Sequence, residues 1–214
     1  MSVGQTHSRP LEGLFGKHWA SRVGERALAR ACAALGTDEA PWALEHLAAW
    51  DQVFKGFGAK PARTPCSAQA LRKRVLRDGV LPAIDPVVDL YNAISIEYAI
   101  PVGGEDLAAY VGAPRLVIAD GSECFDTLKE GLPIQEAPAP GEVVWRDDLG
   151  VTCRRWNWRQ GIRTRLSLSS PRMWFILECL PPMPRTALWE AGDRLIAGLT
   201  QMMPGARIEQ TLVE

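Results

Sequence analysis

The run Cys153-Arg154-Arg155-Trp156-Asn157-Trp158-Arg159-Gln160, followed closely by Arg163 and Arg165, interleaves guanidinium groups with indoles. Arginine carries a planar charged fork that grips phosphate or carboxylate, and tryptophan a broad flat face for stacking. Together they suit a nucleotide or an acidic ligand. Read as a strand, Val151 to Trp158 places Arg154, Trp156 and Trp158 on one face and Arg155, Asn157 and Arg159 on the other. Neither face is a plain core face. An architectural reading competes, in which the arginines pair with internal carboxylates and the tryptophans fill the interior.

Missing residue types narrow the chemistry further. His7, His18 and His46 are the only histidines and all fall in the N-terminal quarter. A Ser-His or Cys-His nucleophilic site near the later motifs therefore requires that quarter to fold back over them. The chain has no Gly-x-Ser-x-Gly elbow, Walker loop, His-Glu-x-x-His pair or dinucleotide fingerprint. Cys32, Cys66, Cys124, Cys153 and Cys179 are odd in number and scattered, without a Cys-x-x-Cys pair. That pattern fits neither a disulfide framework nor a structural zinc site, so the expectation is a reduced, cytoplasmic protein with no metal and no cofactor. No segment approaches the roughly 18 uninterrupted apolar residues of a membrane span, and residues 1 to 7 lack a basic region followed by an apolar stretch. No membrane partner is expected.

With 214 residues, 47% of them hydrophobic, the chain is long enough for one sizeable core. The formal net charge of -1 argues against the globally basic surface of many nucleic-acid binders, so an RNA site would need locally segregated charge. Such segregation exists. Arg72, Lys73, Arg74 and Arg77 form one basic cluster, the arginines from 154 to 165 another, and an acidic segment from Asp120 to Asp148 lies between them. Taken alone, the 72 to 77 cluster also reads as a solvated helix face.

The elements that must position these residues follow from periodicity. Residues 17 to 57 read as mostly helical, with Trp19, Val23, Ala27, Ala31 and Leu35 in one stripe and Trp42, Leu44, Leu47, Trp50, Val53 and Phe54 in another. Ser67 is a candidate N-cap for a helix through Arg77. Asp85-Pro86 opens the best helix signal, with Val87, Leu90, Tyr91, Ile94 and Tyr98 as its buried stripe. Gly103-Gly104 reads either as a turn after that helix or as a place where a ligand meets the backbone. Strands are expected at Arg115 to Ala119, at Val143 to Arg146 and Val151 to Trp158 as a hairpin about residues 147 to 150, and at Met173 to Leu180. A terminal helix follows Thr186. Helices, then strands, then a closing helix indicate an α+β fold in a single domain over residues 1–214.

In combination, several segments resemble a known family. Phe57-Gly58-Ala59-Lys60-Pro61, Leu81 to Asn92, Pro101-Val102-Gly103-Gly104-Glu105-Asp106-Leu107, Pro140 to Val144, and Cys153 to Gln160 look like the free-standing B-three/B-four proteins. These are relatives of the tRNA-editing domain of the phenylalanyl-tRNA synthetase beta subunit. The resemblance implies mixed and antiparallel sheets flanked by helices, in a core over residues 49–185 with a helical extension over 1–48 and a C-terminal helix over 186–214. It also implies a tRNA-binding protein whose partner is aminoacyl-tRNA and which hydrolyses the ester of mischarged tRNA in trans. A non-catalytic RNA or aminoacyl-ligand binding module is the alternative, and an architectural arginine cluster a third reading.

The family motif with two pocket asparagines falls on residues 83 to 89, where Asp85 and Pro86 take their places. The motif with a pocket histidine falls on residues 100 to 106, putting Gly103 at the histidine and Gly104 beside it. Pocket location carries over; the synthetase's tyrosine specificity does not. The resemblance then assigns Arg155 or Arg159 to oxyanion stabilisation, Asn157 and Gln160 to water or the amino acid, and Glu105 to the substrate ammonium or water. Trp156 and Trp158 would wall the pocket or stack on the terminal adenine. Arg72, Lys73, Arg74 and Arg163 would contact the tRNA.

Overall fold

The computed structural model describes residues 2–7 and 14–213. In chain order these form β1 (Ser2–His7), α1 (Leu14–Ala34), α2 (Ala43–Gly56), α3 (Ser67–Asp78), α4 (Pro86–Tyr98), β2 (Val102–Asp106), β3 (Arg115–Ile118), β4 (Phe125–Lys129), β5 (Leu132–Glu136), β6 (Val143–Arg146), β7 (Val151–Arg154), β8 (Arg159–Gln160), β9 (Arg172–Leu177), α5 (Arg185–Met202) and β10 (Gln210–Thr211). One sheet has the order β10-β1-β9-β2. The other runs β3-β6-β7-β4-β5, with β8 paired to β7. Neighbours are antiparallel except β4 and β7, so the fold is α+β with mixed sheets and flanking helices, as the sequence indicates.

Helix α4 sits at the centre of the larger core. Asp85 accepts from the Val87 N–H at 2.9 Å and Pro86 fills the first turn, where its missing N–H costs nothing. Val87, Leu90, Ile94 and Ile96 are buried among Leu28 of α1, Phe175 and Leu177 of β9, and Leu195 of α5. Close contact between α1 and the start of α4 depends on Gly24, since a Cβ there would lie 2.4 Å from the Pro86 carbonyl oxygen. The β9 segment from Met173 to Leu177 is buried throughout, as its apolar run requires between two neighbouring strands.

A second core joins α2 to the later motifs. Trp50 and Phe54 pack with Cys66, Ala68 and Ala99, and Trp156, Trp158 and Leu180 close over them. The N-terminal quarter thus does fold back over the arginine-tryptophan run. Its buried histidine is committed elsewhere: His46 is 0% exposed, its Nδ1–H donates to the Ala99 carbonyl at 2.8 Å and its Nε2 accepts from the Leu180 N–H at 3.0 Å. Only a neutral ring with the proton on Nδ1 satisfies both, and burial holds the pKa below the ordinary 6.5.

The structure departs from the sequence reading in definite places. The strand expected through Trp158 ends at Arg154, and Arg155 and Trp156 adopt φ of 47° and 64° in a turn that leads into β8. The two-face alternation therefore stops at Arg154. Gly103-Gly104 is no turn; both lie in β2, paired to Ile176 and Phe175. Ser67 is the first helical residue of α3 rather than its cap, which falls at Cys66. Trp19 is 49% exposed, with its indole donating to the Gln201 carbonyl at 3.2 Å. The β4–β5 hairpin turns through Glu130 and Gly131, both at positive φ. A short, largely exposed β5 containing Pro133 hid it from a hydrophobic-pattern reading.

His46 generates an expectation about stability. An unfolded chain takes up the imidazole proton near 6.5, the folded one only at lower pH, so the stabilisation is present above 6.5 and is lost as pH falls through that window. His46→Phe leaves one buried N–H and one buried C=O unpaired, at a cost of about 1–3 kcal/mol each. Denaturant unfolding of both proteins should show this gap at pH 7.5 and a narrower one at pH 5.5. An equal gap at both values contradicts the neutral ring.

Candidate functional site

A cavity of about 270 Å³ opens between β2 and β9 of the first sheet, the β7–β8 turn of the second, and helices α3 and α4. The alternation of β2 decides what each of its residues does. A Cβ on Gly103 would meet nothing within 4 Å, so this residue keeps the pocket wall open. A Cβ on Gly104 would lie 2.7 Å from Leu166 and 3.0 Å from Phe175 and Tyr91; it packs the core. Glu105 returns to the pocket side, 4% exposed.

Counting acceptor sites separates two carboxyls on this cavity, Glu105 buried and Glu178 half-buried. A carboxylate offers about four lone-pair sites. Glu105 receives Thr164 at 2.7 Å and Gln160 at 3.2 Å on Oε1, and Thr152 at 3.4 Å with the Tyr110 hydroxyl on Oε2. Its sites are full. Glu178, just beyond β9, receives Trp156 Nε1 at 2.8 Å and Trp145 Nε1 at 3.0 Å on Oε1, and only Asn157 Nδ2 at 2.7 Å on Oε2. Among the described residues no second donor reaches Oε2, which leaves an acceptor site open there. Every one of these donors is neutral, and no arginine or lysine side chain of the described residues is paired with either carboxyl. Burial therefore pushes both above the usual glutamate value of 4.5, although the hydrogen bonds and, for Glu178, the positive charge of the N-terminus oppose it.

Two further oxygens, on residues that line the cavity, are buried without hydrogen-bond partners among the described residues, Asn157 Oδ1 and Ser67 Oγ. Cys153 lies beside them as a neutral thiol. Burial raises it well above its ordinary 9.0, and the charges of Glu105 and Glu178 raise it further, so it is a poor nucleophile. The pocket thus combines surplus acceptors with negative charge and aromatic walls from Trp145, Trp156 and Trp158.

The β7–β8 turn divides the labour of its arginines. Arg154 is architectural: Nε and Nη2 grip Glu142 at 2.9 and 2.8 Å, and Nη1 reaches Glu136 at 3.0 Å. Burial alone would raise Glu142, but Arg154 brings its pKa below the ordinary value. Glu142 also accepts the Arg155 N–H at 3.1 Å, and the Trp156 N–H bonds the Val143 carbonyl at 2.7 Å, which pins the turn. Two guanidinium groups lie over the Trp158 ring, Arg155 at 4.4 Å and Arg159 at 5.8 Å from its centroid. Arg159 also donates to the Leu128 carbonyl at 2.9 Å, and Gln160 to the Gly104 carbonyl at 2.9 Å.

Of the residues singled out in the sequence, Gly103, Glu105 and Trp156 to Gln160 meet on this cavity. The others do not line it. Asp85 caps α4 and accepts the Leu168 N–H at 3.3 Å, Gly104 faces the core, and Arg155 leans on Trp158. Arg72 is no surface cation. It is 5% exposed, donates to the Ile96 carbonyl at 2.7 Å and pairs with Glu39, because its place on α3 faces α4. Arg163 grips buried Asp147 through two bonds of 2.8 and 2.9 Å. Burial alone would raise that carboxyl, yet Arg163 and three backbone N–H groups hold it at about 2. Lys73 and Arg74 remain exposed, the latter 3.7 Å from Asp78. Trp145 and Glu178 escaped the sequence reading. A signal existed for Glu178, a lone carboxylate interrupting the otherwise apolar run from Met173 to Leu180.

The molecule is therefore an α+β protein with a tryptophan-walled, acceptor-rich pocket at the junction of two sheets. A profile of the B3/4 domain matches residues 49–187, and the chain belongs to the B3/4 domain family. Comparison with curated proteins returns no match. Among the described residues no helix is long and apolar enough to cross a membrane, and no group of three or more His, Cys, Asp or Glu side chains is arranged to hold a metal ion.

Two paired substitutions check this assignment. Gly103→Ala should fold with little change in Tm, whereas Gly104→Ala should cost about 1–3 kcal/mol through overpacking. Arg154→Ala strands Glu142 and should cost about 3–5 kcal/mol, with Arg159→Ala far milder. Thermal unfolding of the four variants beside wild type measures all of this. Equal losses within either pair contradict the division between wall and core, or between architecture and site.

Proposed function

We propose that this pocket receives the aminoacyl end of charged tRNA and that the protein hydrolyses the ester of mischarged tRNA in trans. The observation that carries the reading is the convergence of Gly103, Glu105 and residues 156 to 160, far apart in sequence, on one cavity with open acceptors. Membership of the B3/4 family, and the resemblance to the tRNA-editing domain of the phenylalanyl-tRNA synthetase beta subunit, supply the substrate class by analogy.

The chemistry asks little of the protein. An aminoacyl ester is already reactive, and its vicinal ribose hydroxyl can assist, so positioning water and stabilising the carbonyl oxygen are the main tasks. Water oxygen bonds to the carbonyl carbon, the bond to the ribose oxygen breaks, and a proton passes to that oxygen. The products are a free amino acid and tRNA with a free hydroxyl. An acyl-enzyme route is disfavoured because Cys153 stays protonated and His46 is bound to the backbone away from the cavity. Arg159 supports the carbonyl oxygen, and Asn157 and Gln160 orient substrate and water. Glu105, with its sites filled, acts as a fixed floor. Trp158 with its overlying guanidinium groups offers a stacking platform for a terminal base.

Non-catalytic capture of the same ligand is the second reading, favoured by the absence of a histidine among the cavity residues. A panel of correctly and incorrectly charged tRNAs separates the two. Acceleration for at least one mischarged species, with most correct ones left intact, is the expected outcome. Binding without any acceleration over buffer replaces hydrolysis by capture. Affinity should fall with salt at a log-log slope of roughly 0.7 to 0.9 per neutralised phosphate, with about two to five phosphates involved. Lys73→Ala with Arg74→Ala should flatten that slope; an unchanged slope removes α3 from the tRNA contact.

A further inference from the structure

The corner of the cavity made by Glu178 and Asn157 is more specific than an acidic pocket. The Asn157 amide cannot turn over, because its Nδ2 donates to Glu178 Oε2 at 2.7 Å and a reversed amide would set oxygen against oxygen. Asn157 Oδ1 is consequently held as a buried acceptor with no partner among the described residues, beside a carboxylate oxygen that receives only the Asn157 amide from them. Ser67 Oγ, on a residue that lines the same cavity, adds another buried oxygen without a partner among them. A neutral hydroxyl offers one donor and no charge, which leaves Glu178 without a paired cationic side chain among the described residues and an acceptor empty. A carboxylate or phosphate is repelled. A primary ammonium has several N–H donors, no lone pair and one positive charge, and it satisfies the carboxylate and the amide oxygen together.

We infer that the Glu178–Asn157 corner is an ammonium site, and that the substrate enters with its α-amino group free. This rests on the aminoacyl reading of the pocket and narrows it. Esters whose α-amine is acylated, or replaced by hydroxyl, are poor ligands, so the protein discriminates aminoacyl-tRNA from N-blocked and hydroxyacyl forms. A side-chain ammonium has the same chemistry and is the alternative source.

The test uses non-hydrolysable adenosine amides on the full chain: 3′-alanylamino-3′-deoxyadenosine, its lactyl counterpart and its Nα-acetyl-lysyl counterpart. Binding is read by calorimetry. Wild type should bind the alanyl compound at least ten-fold more tightly than the lactyl one, with the Nα-acetyl-lysyl compound also weak. Glu178→Gln keeps an acceptor for Trp145 and Trp156 but removes the charge, so it should fold and lose the preference. Equal binding of alanyl and lactyl compounds by wild type, no binding of any, or preference for Nα-acetyl-lysyl overturns the inference, and none of these readouts depends on the variant. The two proposals fail separately. Amine-selective binding without deacylation of any charged tRNA leaves the ammonium site standing and removes hydrolysis; deacylation that proceeds equally on α-hydroxyacyl-tRNA does the reverse.

Discussion

A half-buried carboxylate whose hydrogen-bond donors are all neutral is the constraint around which this structure is arranged. Glu178 ties three elements together, since Trp145 comes from β6, Trp156 and Asn157 from the β7–β8 turn, and Glu178 itself follows directly on β9, an inner strand of the other sheet. Removing a charge from water costs several kcal/mol, and neutral hydrogen bonds recover only part of it. A purely architectural junction would be served as well by an apolar side chain or by an ion pair like that of Arg154 with Glu142. The carboxylate that keeps an open site on a cavity is the one that a ligand can complete.

Much of the remaining architecture serves to present that junction. Arg155 and Trp156 adopt left-handed backbone that non-glycine residues resist at roughly 1–2 kcal/mol each. What holds them is Arg154 on Glu142, the Trp156 N–H on the Val143 carbonyl, and the edge-on contact of Trp156 with Trp50, whose ring centroids are 5.3 Å apart. Helix α2 therefore supports the turn from behind. The turn in turn points one indole and one amide at the same carboxylate. Strain in the backbone is stored where the pocket needs an unusual direction of side chains.

The sequence made the scaffold largely legible. Asp85-Pro86 and the stripe from Val87 to Ile94 marked α4, the apolar run marked β9, and Asp147 to Gly150 marked the β6–β7 turn, because each rests on local chemistry or periodicity. Long-range pairing was less visible. Arg72 reads as a surface cation beside Lys73 and Arg74, and only the packing of α3 against α4 turns it inward toward Glu39. Arg163 is likewise captured by Asp147, 16 residues away. Within the candidate site the aromatic and amide residues of 156 to 160 were found from composition, whereas Glu178 was hidden inside a core strand signal and Trp145 inside a hairpin. Their roles arise from a junction of two sheets that no local pattern encodes. The left-handed turn also escaped, since neither Arg155 nor Trp156 carries the glycine or asparagine signature of such a conformation.

The central claim is that Glu178 is a carboxyl left under-compensated by the folded chain and open to a cationic ligand. Carboxyl-detected NMR titration of the glutamate-labelled protein, with Glu178→Gln to assign the resonance, addresses it directly. The account requires Glu178 to titrate above the ordinary 4.5 in the free protein and to move downward when an amine ligand is bound. A value at or below 4.5 without ligand, unaffected by the amine, would mean that the fold already satisfies this carboxyl and that the pocket is not built around it.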